Sequence, residues 1–455
     1  MLKLKSFLIT FLVSFSIGCS SDNGGGNEVS PPEPPPETGG ENPGGTPPLS
    51  DEELLDLVQE QTFGYFYDFA EENSGLAKER SQEDAYGGDG SLIVTTGGSG
   101  FGLASFPAAV ERGFISRTEA IDRLKKILDF LESVPTYHGA FSHWYLGNTG
   151  QTRPFSTFDD GGDLVETAFL LQGLLINRQY FNGDNEEEIN IRNRITRIWE
   201  NVEWDWYTQG EDVLYWHWSP NYNFQIDLQI KGWNESLIVY VLAASSPTHP
   251  ISKEVYTKGW ASNGNMVTNR FHYGFNMPLG PSFGGPLFFS HYSFIGLDPR
   301  NLSDEYANYW QQNTAHANIN YEYCVRNPLN YEGYGVDTWG LTASDNYEGY
   351  SAHSPTNDLG VITPTAALSS FPYTPEESMT AMRHFYEDLG DRLWGEYGFY
   401  DAFSEEQNWF ADGYLAIDQG PIIGMIENHR TGMLWDLFMA DEDVLNGLNK
   451  LGFSY

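Results

Sequence analysis

The feature that most constrains this chain is the recurrence of apolar side chains at spacings of three and four residues after residue 50. Leu54, Leu55, Val58 and Phe63 show the pattern first, and such spacing places apolar groups on one face of an α-helix. It predicts helices over residues 51–69, 118–131, 163–180, 189–199, 228–244, 252–260, 304–325, 375–389, 417–428 and 431–437. Sustained strand alternation is not seen, and residues 92–96 and 214–218 are predicted as short strands. We therefore predict an all-α fold.

Residues 50–455 are predicted to form one large domain. Their length would allow two or three average domains, but no second Pro- and Gly-rich break interrupts them. Two long loops, residues 261–300 and 328–362, separate the predicted helices, and loops of that length are uncommon unless they carry function. Helices in antiparallel pairs are consistent with a ring of helical hairpins whose loops line a cavity. No clear sequence repeat establishes that ring.

The N-terminus has the layout of an export signal. Two lysines precede an apolar run over residues 7–17 that is too short to span a bilayer stably, and small residues then lead to Cys19. A cysteine at this point resembles a lipobox, although Ser16 stands where Leu is usual. We predict a lipoprotein signal peptide over residues 1–18 and lipidation of Cys19. The alternative is an ordinary cleaved signal followed by an incidental cysteine.

Residues 19–49 are predicted to be a tether. They contain Gly and Pro clusters and no aromatic residue, so they cannot offset the entropy of ordering themselves. Their proline content makes such a spacer semi-rigid. We therefore expect an exported, monomeric protein that its lipid holds at the bacterial envelope, either in the periplasm or at the cell surface.

Charge and composition narrow the class of partner. The formal net charge of -39 argues against nucleic acid, which needs a basic face, and against polyanionic sugars. Aromatic residues make up 15% of the chain, and their rings stack on the apolar faces of sugar rings. An uncharged glycan is the expected partner, although a large core also uses aromatic residues.

Other chemistries lack a sequence motif. The ten His residues show neither His-Glu-x-x-His nor Cys/His ligand spacing, so no metal is expected. There is no Gly-x-Ser-x-Gly elbow and no phosphate loop, and no cofactor is expected. Catalysis by Ser, His and Asp is unsupported rather than excluded. Once Cys19 is lipidated, Cys324 has no disulfide partner, and its surroundings predict a small buried residue.

The densest acidic cluster lies at the predicted start of the helix over residues 163–180. It contains Asp159, Asp160, Asp163 and Glu166, with aromatic residues beside them. Glycoside hydrolysis needs one protonated and one ionised carboxyl group, and crowding at a helix N-terminus can hold two carboxyls in different states. The structural alternatives are a capping box formed by Asp163 and Glu166 and a turn at Asp159 and Asp160.

Glu235 is the second candidate. It lies in the predicted helix over residues 228–244, between Trp233 and a strongly apolar half-helix. By itself this position indicates either a solvated residue on the polar face or a carboxylic acid with a raised pKa.

Four stretches in order carry a resemblance to a known family. They are residues 156–175 (beginning STFDDGGDLVE), 283–293 (FGGPLFFSHYS), 339–345 with 361–377 (WGLTASD and VITPTAALSSFPYTPEE), and 409–421 followed by 427–432 (WFADGYLAIDQGP and ENHRTG). Over about residues 52–450 the chain resembles the glycoamylase-like domain of bacterial exported proteins. That family includes the endo- and exo-acting β-1,2-glucanases of glycoside hydrolase family 144.

The resemblance implies an (α/α)6 toroid of six helical hairpins. It also implies catalytic roles for Asp159, Asp163 and Glu235, with Glu235 as general acid, and by analogy an inverting reaction. Which carboxylate is the base stays open. The family stretches suggest substrate contacts at Asp160, Trp144, Trp233, Phe289, His291, Trp339, Asp345, Trp409, Gln419, Glu427 and Arg430. For each of these, core packing, helix capping or an ion pair is an alternative.

Together these observations predict a glycoside hydrolase acting on a neutral glucan, with β-1,2-glucan as the leading substrate. The alternatives are hydrolysis of another α- or β-glucan or oligosaccharide, and a glycan-binding lipoprotein without catalysis. A polysaccharide lyase is disfavoured because lyase substrates are anionic and the chain is strongly acidic.

Overall fold

Fifteen α-helices are the main elements of residues 48–455, the part of the chain that the computed structural model describes. They are α1 (Asp51–Tyr67), α2 (Thr96–Ala104), α3 (Phe106–Glu111), α4 (Arg117–Ser133), α5 (Leu164–Tyr180), α6 (Glu186–Glu200), α7 (Leu237–Ser245), α8 (Lys253–Val255), α9 (Tyr309–Arg326), α10 (Pro364–Leu368), α11 (Pro375–Arg383), α12 (Gly390–Leu393), α13 (Ala416–Arg430), α14 (Met433–Met439) and α15 (Glu442–Leu451). The prediction of a helix-rich chain is confirmed.

Capping side chains set several of these boundaries. Ser50 and Ser116 form complete capping boxes with Glu53 and Glu119 at the starts of α1 and α4. Pro375 occupies the first turn of α11, where its missing N–H costs no hydrogen bond. The helices predicted around these signals therefore begin within two residues of their predicted positions.

Two predicted helices begin at least five residues later than their apolar pattern indicated. Of residues 228–244 only the second half is helical, because Gly232 adopts φ 76 and α7 begins after it. Glu235 therefore lies in a turn, not in a helix. Of residues 304–325 the first turn is replaced by a cap, since the Asn308 side chain accepts from the backbone N–H of Gln311 where α9 begins.

Small sheets occur in the connecting segments. Their strands are β1 (Ile93–Thr95), β2 (Trp144–Leu146), β3 (Thr152–Arg153), β4 (Gly162–Asp163), β5 (His217–Trp218), β6 (Val267–His272), β7 (Phe275–Leu279), β8 (Ala343–Asn346), β9 (Gly349–Ala352), β10 (Trp394–Gly395), β11 (Gly398–Phe399), β12 (Phe403–Ser404) and β13 (Trp409–Phe410). All pairings are antiparallel: β1-β2-β3, β4-β5, β6-β7, β8-β9, β10-β11 and β12-β13.

Most of these small sheets were not part of the all-α prediction, which included only two short strands. Both predicted strands are present, as β1 and β5, in shortened form. The hairpins β6-β7 and β8-β9 lie inside the two predicted long loops and were missed. A register shift between Val267 and Arg270 breaks the alternation of side chains along β6, which removes the sequence signal for a strand.

Helix α2 packs against α5 at the centre of the molecule, and α13 packs against α2. Glycines make the α2–α5 contact possible. A Cβ atom on Gly100 would lie 2.2 Å from the carbonyl oxygen of Phe169, and one on Gly173 would lie 2.0 Å from the carbonyl oxygen of Gly100. The backbones therefore meet directly, and nearly all buried apolar side chains join one core around this contact.

The N-terminal predictions fall outside the described residues. These are the signal peptide over residues 1–18, lipidation at Cys19, and all but the end of the tether. Residues 49–455 form one compact unit. Within the described part of the chain, helices with the length and hydropathy needed to cross a bilayer were not found. Cys324 is fully buried, as predicted.

Substitution of Gly100 by Ala should destabilise the protein strongly. The added methyl group cannot fit against the α5 backbone without moving a helix, so we expect a loss of about 3 kcal/mol in the free energy of unfolding. Denaturant unfolding of Gly100→Ala measures it. Gly390→Ala is the matched control, because a Cβ there meets only the Trp394 side chain at 4.0 Å. Equal stability of the two variants would contradict the close helix contact.

Candidate active site

Asp163 is fully buried at the N-terminus of α5. Its Oδ1 accepts hydrogen bonds from the backbone N–H groups of Val165 (3.0 Å) and Glu166 (2.9 Å). The predicted cap is therefore present. Glu166 does not complete a capping box, because its Oε2 accepts from the N–H of Gly97 (2.7 Å), at the start of α2. One helix N-terminus thus binds each carboxylate.

The second oxygen of Asp163 lies among three aromatic side chains. Its Oδ2 is 3.1 Å from His143 Nδ1, 3.2 Å from Trp216 Nε1 and 3.3 Å from His217 Nε2. The β4-β5 pairing accounts for part of this geometry, because Asp163 and His217 are direct partners in its register. Asp163 is consequently held by two backbone and three side-chain groups.

Asp159 faces the same two histidines. Its Oδ2 lies 3.4 Å from His217 Nε2 and 3.6 Å from His143 Nδ1. Both contacts use one oxygen and are longer than those of Asp163. Asp159 is buried, whereas the neighbouring Asp160 points to Asn221, whose side-chain amide donates to its Oδ2 (2.7 Å). The structure thus brings Asp159 and Asp163 together, with Asp160 beside them.

The two histidines and Asp163 shift one another's pKa values towards their charged forms. Burial alone would raise the pKa of Asp163, but the charge of His217 and the hydrogen bonds from both histidines hold it below its ordinary value. Burial alone would lower the pKa of His217, but the charges of Asp159 and Asp163 raise it. The pKa of His143 is likewise raised well above its ordinary value, chiefly by the charge of Glu166 acting against burial. Asp163 is therefore ionised at neutral pH.

Glu235 and Glu166 instead have pKa values above the ordinary value of a glutamate. Desolvation raises the pKa of Glu235 to about 7, and the charges of Glu166 and Asp163 add to the effect. Desolvation also raises the pKa of Glu166 to about 7, against the charge of His143. A protonated carboxyl group and an ionised one thus coexist near neutral pH in one site.

The turn that carries Glu235 is fixed from a different part of the chain. The hydroxyl of Ser293 donates to the carbonyl oxygen of Glu235 and accepts from the N–H of Ile238 (3.0 Å). The Asn234 side chain accepts from the N–H of Ser236 (2.9 Å). Glu235 itself keeps a partly exposed side chain, so the acid is held by its backbone and remains accessible.

A cavity of about 530 Å³ is separated from this cluster by aromatic side chains, and Asp159, Asp163 and Glu235 do not line it. Its polar wall contains Arg80 and Asp345, whose side chains form an ion pair at 3.2 Å, and Trp409 lines it from β13. Tyr86 also lines the cavity, and its ring packs on that of Trp144 at 4.8 Å. Trp144 directly follows His143, so aromatic contacts connect the cavity to the carboxylates.

Exposed aromatic rings border the cluster on the loop that precedes Asp159. The ring of Phe155 stacks on His143 with 4.2 Å between centroids, and Phe158 meets Tyr222 edge to face at 5.1 Å. These three side chains are each about two-fifths exposed: Phe155 43%, Phe158 39% and Tyr222 41%. Such surfaces suit the apolar faces of sugar rings.

Three predicted substrate contacts are core residues. Trp233 packs among Phe294 and Tyr309, and Trp339 is fully buried with its indole N–H donating to the carbonyl oxygen of Glu377 (3.2 Å). His291 is 2% exposed, and burial lowers its pKa to about 3. All three residues are buried, as the core-packing alternative expects.

Three further predicted contacts also have structural partners. Arg112 and Gln59 bind the buried Glu427, and Arg430 pairs with Asp56 and Glu52 at the surface.

Gln419 is 1% exposed, and its side-chain amide donates to the carbonyl oxygen of Phe399 (2.9 Å). Phe289 is partly exposed and packs edge to face on Phe288. Of the predicted contacts, only Asp345 and Trp409 line the cavity, while Trp144 borders it.

His143, Asp159 and Asp163 lie close enough together to hold a metal ion. The chemistry of the donor set does not fit one well. A histidine ligand must be unprotonated, whereas the pKa of His143 is raised, and Asp163 already accepts from backbone and side-chain N–H groups. The cluster is better described as an internal ion-pair network.

Sequence reasoning missed both histidines of the network. His143 and His217 are not near the acidic motif in the chain, so spacing could not assign them. One signal was available: His217 stands between Trp216 and Trp218 in the predicted strand over residues 214–218, an unusual place for an ionisable side chain.

Comparisons with known proteins found a family model and solved structures that match the chain. A family model described as "Putative glucoamylase" matches residues 227–442. A solved structure with the same description, from Bacteroides uniformis, is 56% identical with a TM-score of 0.87, and the match covers 90% of this chain and 99% of that one. The structure of an endo-β-1,2-glucanase from Chitinophaga pinensis, in complex with sophorotriose and glucose, is 52% identical with a TM-score of 0.88 and the same coverage.

A curated relative extends the comparison. The exo-β-1,2-glucooligosaccharide sophorohydrolase (non-reducing end) of Parabacteroides distasonis is 48% identical over 430 residues, which cover 89% of this chain. The match spans 58% of that relative's length. Because solved relatives more than half identical to the chain are covered almost completely, the chain belongs to the glycoamylase-like family, in which the endo-β-1,2-glucanase and the sophorohydrolase also lie.

Proposed function

We propose that this protein is a glycoside hydrolase that cleaves β-1,2-linked glucan. The observation that carries the proposal is that Glu235, with a pKa raised to about 7, lies within electrostatic range of Asp163, whose pKa is below its ordinary value. Glycosidic cleavage requires such a pair of states: a protonated carboxyl group for the leaving oxygen and ionised groups for the water.

Glu235 is the proposed general acid. Its side chain is partly exposed, and desolvation keeps it protonated up to about pH 7. In the proposed step, its proton passes to the glycosidic oxygen while the bond from that oxygen to the anomeric carbon breaks. The positive charge that develops on the sugar ring is stabilised by the negative charge on the aspartate side of the site.

Asp159 is the proposed base. Asp163 is unsuited to this role because its pKa is low and both of its oxygens already accept from N–H groups. Asp159 uses only Oδ2 in its contacts with the histidines, which leaves Oδ1 to accept a proton from water. Attack of that water from the opposite face of the ring gives inversion, so a β-linkage yields an α-anomer. Asp163 then serves to position both histidines.

The substrate proposal rests on three observations. The aromatic rings at the site suit neutral sugar rings, the net charge of -39 opposes anionic ones, and two of the three named relatives, the endo-β-1,2-glucanase and the sophorohydrolase, are named for β-1,2-linked glucan or its oligosaccharides. Another glucan and a non-catalytic glycan-binding role are the alternatives. The second is disfavoured because the three carboxylates predicted for catalysis are all present and Asp159 and Asp163 adjoin each other.

We also propose the finer architecture, an (α/α)6 toroid. Helices that do not follow one another in the chain are in contact in space, and these contacts form a succession: α1 with α13, α13 with α2, α2 with α5, α5 with α7 and α7 with α15. Such a succession is what a ring of helical hairpins requires. The site residues come from the segments between these helices, in keeping with loops that line one end of a ring.

Export is proposed from the N-terminal pattern alone. The signal-like residues 1–18, Cys19 and the Pro-rich segment after it suit a monomeric enzyme held by a lipid at the bacterial envelope. A tether of this kind would give the catalytic domain access to a polymer that does not enter the cell.

The full chain should degrade linear β-1,2-glucan and leave β-1,3-, β-1,4- and α-1,4-glucans intact. Glu235→Gln should lower kcat about 10³-fold, because an amide cannot protonate the leaving oxygen. For the wild type, kcat should fall as pH rises through about 7, where Glu235 loses its proton. Product chromatography and NMR of the first-formed anomer measure these outcomes.

The control for this experiment is Glu254→Gln, since Glu254 is an exposed residue paired with Lys258 and should not affect turnover. Near-normal activity of Glu235→Gln would refute its role as acid. A folded wild type that is inert on all four polymers would refute the proposed substrate, and release of the β-anomer would refute inversion.

Asp159→Asn and Asp163→Asn should differ in kcat. Loss of the base should lower kcat about 10³-fold, whereas Asn at position 163 can still cap α5 and should cost only about tenfold. Steady-state kinetics on the same glucan, with circular dichroism to verify folding, compares them. If Asp163→Asn is the more severely impaired, the assignment of the base must be reversed.

Cys19→Ala should abolish incorporation of a labelled fatty acid when the full chain is expressed in a bacterial host. The chain then lacks the thiol that the lipid requires, and it should move from the membrane fraction to the soluble fraction. Cys324→Ala is the matched control, because this buried cysteine should have no part in lipidation. Unchanged labelling of Cys19→Ala would refute the lipobox.

A further inference from the structure

Helix α7 begins without a cap from the residue before it. Within residues 48–455, the hydroxyl of Ser236 is buried and has no hydrogen-bond partner. The first N–H groups of a helix need acceptors from outside that helix. Ser293, 55 residues beyond Ile238, supplies one, because its hydroxyl accepts from the N–H of Ile238 (3.0 Å) and donates to the carbonyl oxygen of Glu235. One buried hydroxyl therefore holds the backbone of the turn that carries the proposed acid.

Ser293 belongs to a firmly bound segment, residues 292–296, which we call the anchor segment. Its backbone carbonyl groups bond to side chains from the end of the chain. The indole N–H of Trp435 donates to the carbonyl oxygen of Phe294 (2.7 Å), and the side-chain amide of Asn428 donates to that of the following residue (2.8 Å). Ser293 and Phe294 are fully buried. The hydroxyl of Ser293 is therefore presented from a fixed backbone.

The side chain of Gln172 joins the anchor segment to α5. Its amide N–H donates to the carbonyl oxygen of Tyr292 (3.0 Å), and its amide oxygen accepts from the N–H of Gly296 (2.9 Å). Gln172 is fully buried, and a Cβ atom on Gly296 would lie 3.0 Å from its Cγ. One amide thus binds both ends of the anchor segment in a close contact, so the segment is held in place relative to α5.

Helix α5 is also the helix that Asp163 caps. It extends as one element over Leu164–Tyr180. Hydrogen bonds therefore connect the turn of Glu235, through Ser293 and Gln172, to the helix that begins at the aspartate side of the site. An inverting glycosidase needs its acid and base roughly 6.5–9.5 Å apart, with room for one water. A displaced turn would change that separation directly.

We propose that Ser293 and Gln172 are positioning residues that set the separation between Glu235 and the aspartate side of the site. The proposal deepens the proposed function, since it rests on Glu235 being the acid. Both side chains are fully buried and act through backbone atoms. Ser293 ends the stretch FGGPLFFSHYS, residues 283–293, and this stretch thereby gains a role in the reaction.

The first experiment needs no substrate. Amide hydrogen exchange of the full chain, followed by mass spectrometry, is compared for the wild type, Ser293→Ala and Gln172→Met. Both variants should exchange about tenfold faster over residues 234–240, which include Ile238. Gln172→Met should do so although the hydrogen bonds that it removes are to the anchor segment. Unchanged exchange over residues 234–240 in Gln172→Met would overturn the proposed connection.

Ser378→Ala is the matched control. Ser378 is fully buried in α11, and its hydroxyl donates to the carbonyl oxygen of Ala367 (2.8 Å). Its loss should lower the denaturant midpoint about as much as Ser293→Ala does, because each substitution removes a buried hydrogen bond. Exchange over residues 234–240 should stay as in the wild type. Equal acceleration there in the control would reveal general loosening and overturn the positioning role.

The second experiment measures the effect on cleavage of β-1,2-glucan. Ser293→Ala should lower kcat about 30-fold and Gln172→Met about tenfold, with KM changed less than about threefold, because the acid is misplaced while the sugar-binding surface is intact. The double variant should be no more impaired than Ser293→Ala, since both substitutions break one path. Multiplied effects in the double variant, or a KM change larger than the kcat change, would overturn the proposal.

The pH profile of kcat adds a readout that a general loss of stability does not move. A looser turn admits water, so the pKa of Glu235 should fall from about 7 towards its ordinary value of 4.5. The decline of kcat at high pH should then shift to lower pH by about one unit in both single variants. The titratable groups within electrostatic range of this acid are Glu166, Asp163 and Tyr292, which the variants leave unchanged.

An unshifted decline of kcat in both variants would overturn the positioning role. If the wild type cleaves no glucan, hydrogen exchange still decides whether Ser293 and Gln172 hold the turn of Glu235. Failure of the proposed function is therefore recognised separately from failure of the connection.

Discussion

The carboxylate of Asp163 is the point on which the site depends. One oxygen caps α5 through two backbone N–H groups, and the other lies at 3.1–3.3 Å from His143, Trp216 and His217. A helix start, a strand pair and two distant loops therefore converge on one buried charge. Because an unpaired buried carboxylate is costly, each of these segments stabilises the charge of Asp163.

The packing of α2 against α5 places the N-terminus of α2 beside the carboxyl group of Glu166. Gly97 and Gly100 allow α2 to approach α5 so closely that the N–H of Gly97 donates to Glu166 (2.7 Å), and a Cβ at Gly97 would lie 2.5 Å from the same oxygen. The glycines thus have two consequences. They permit the central helix contact, and they bring a backbone donor to a carboxyl group that lies 3.8 Å from His143.

Local signals allowed much of the fold and the acidic part of the site to be predicted. Ser50 and Ser116 cap helices that begin where expected, and the motif around Asp159 and Asp163 forms the cluster. Helix α2 could not be predicted, because its sequence TGGSGFGLA has poor helix propensity and is helical only through its packing on α5. His143 and His217 join the site through contacts between separate segments of the chain. A single sequence carries no signal for such contacts.

Local counter-charge, not the net charge of -39, decides the protonation of each carboxyl group in this protein. Where His143 and His217 face the aspartates, Asp163 is ionised even though it is fully buried. Where the neighbours are other carboxyl groups and tyrosines, desolvation prevails and raises the pKa of Asp418 to about 8 and that of Asp401 well above its ordinary value. A chain with many acidic residues can thus maintain an ionised region and a protonated region, and Glu235, whose pKa of about 7 lies between these extremes, is the proposed group whose proton can be transferred near neutral pH.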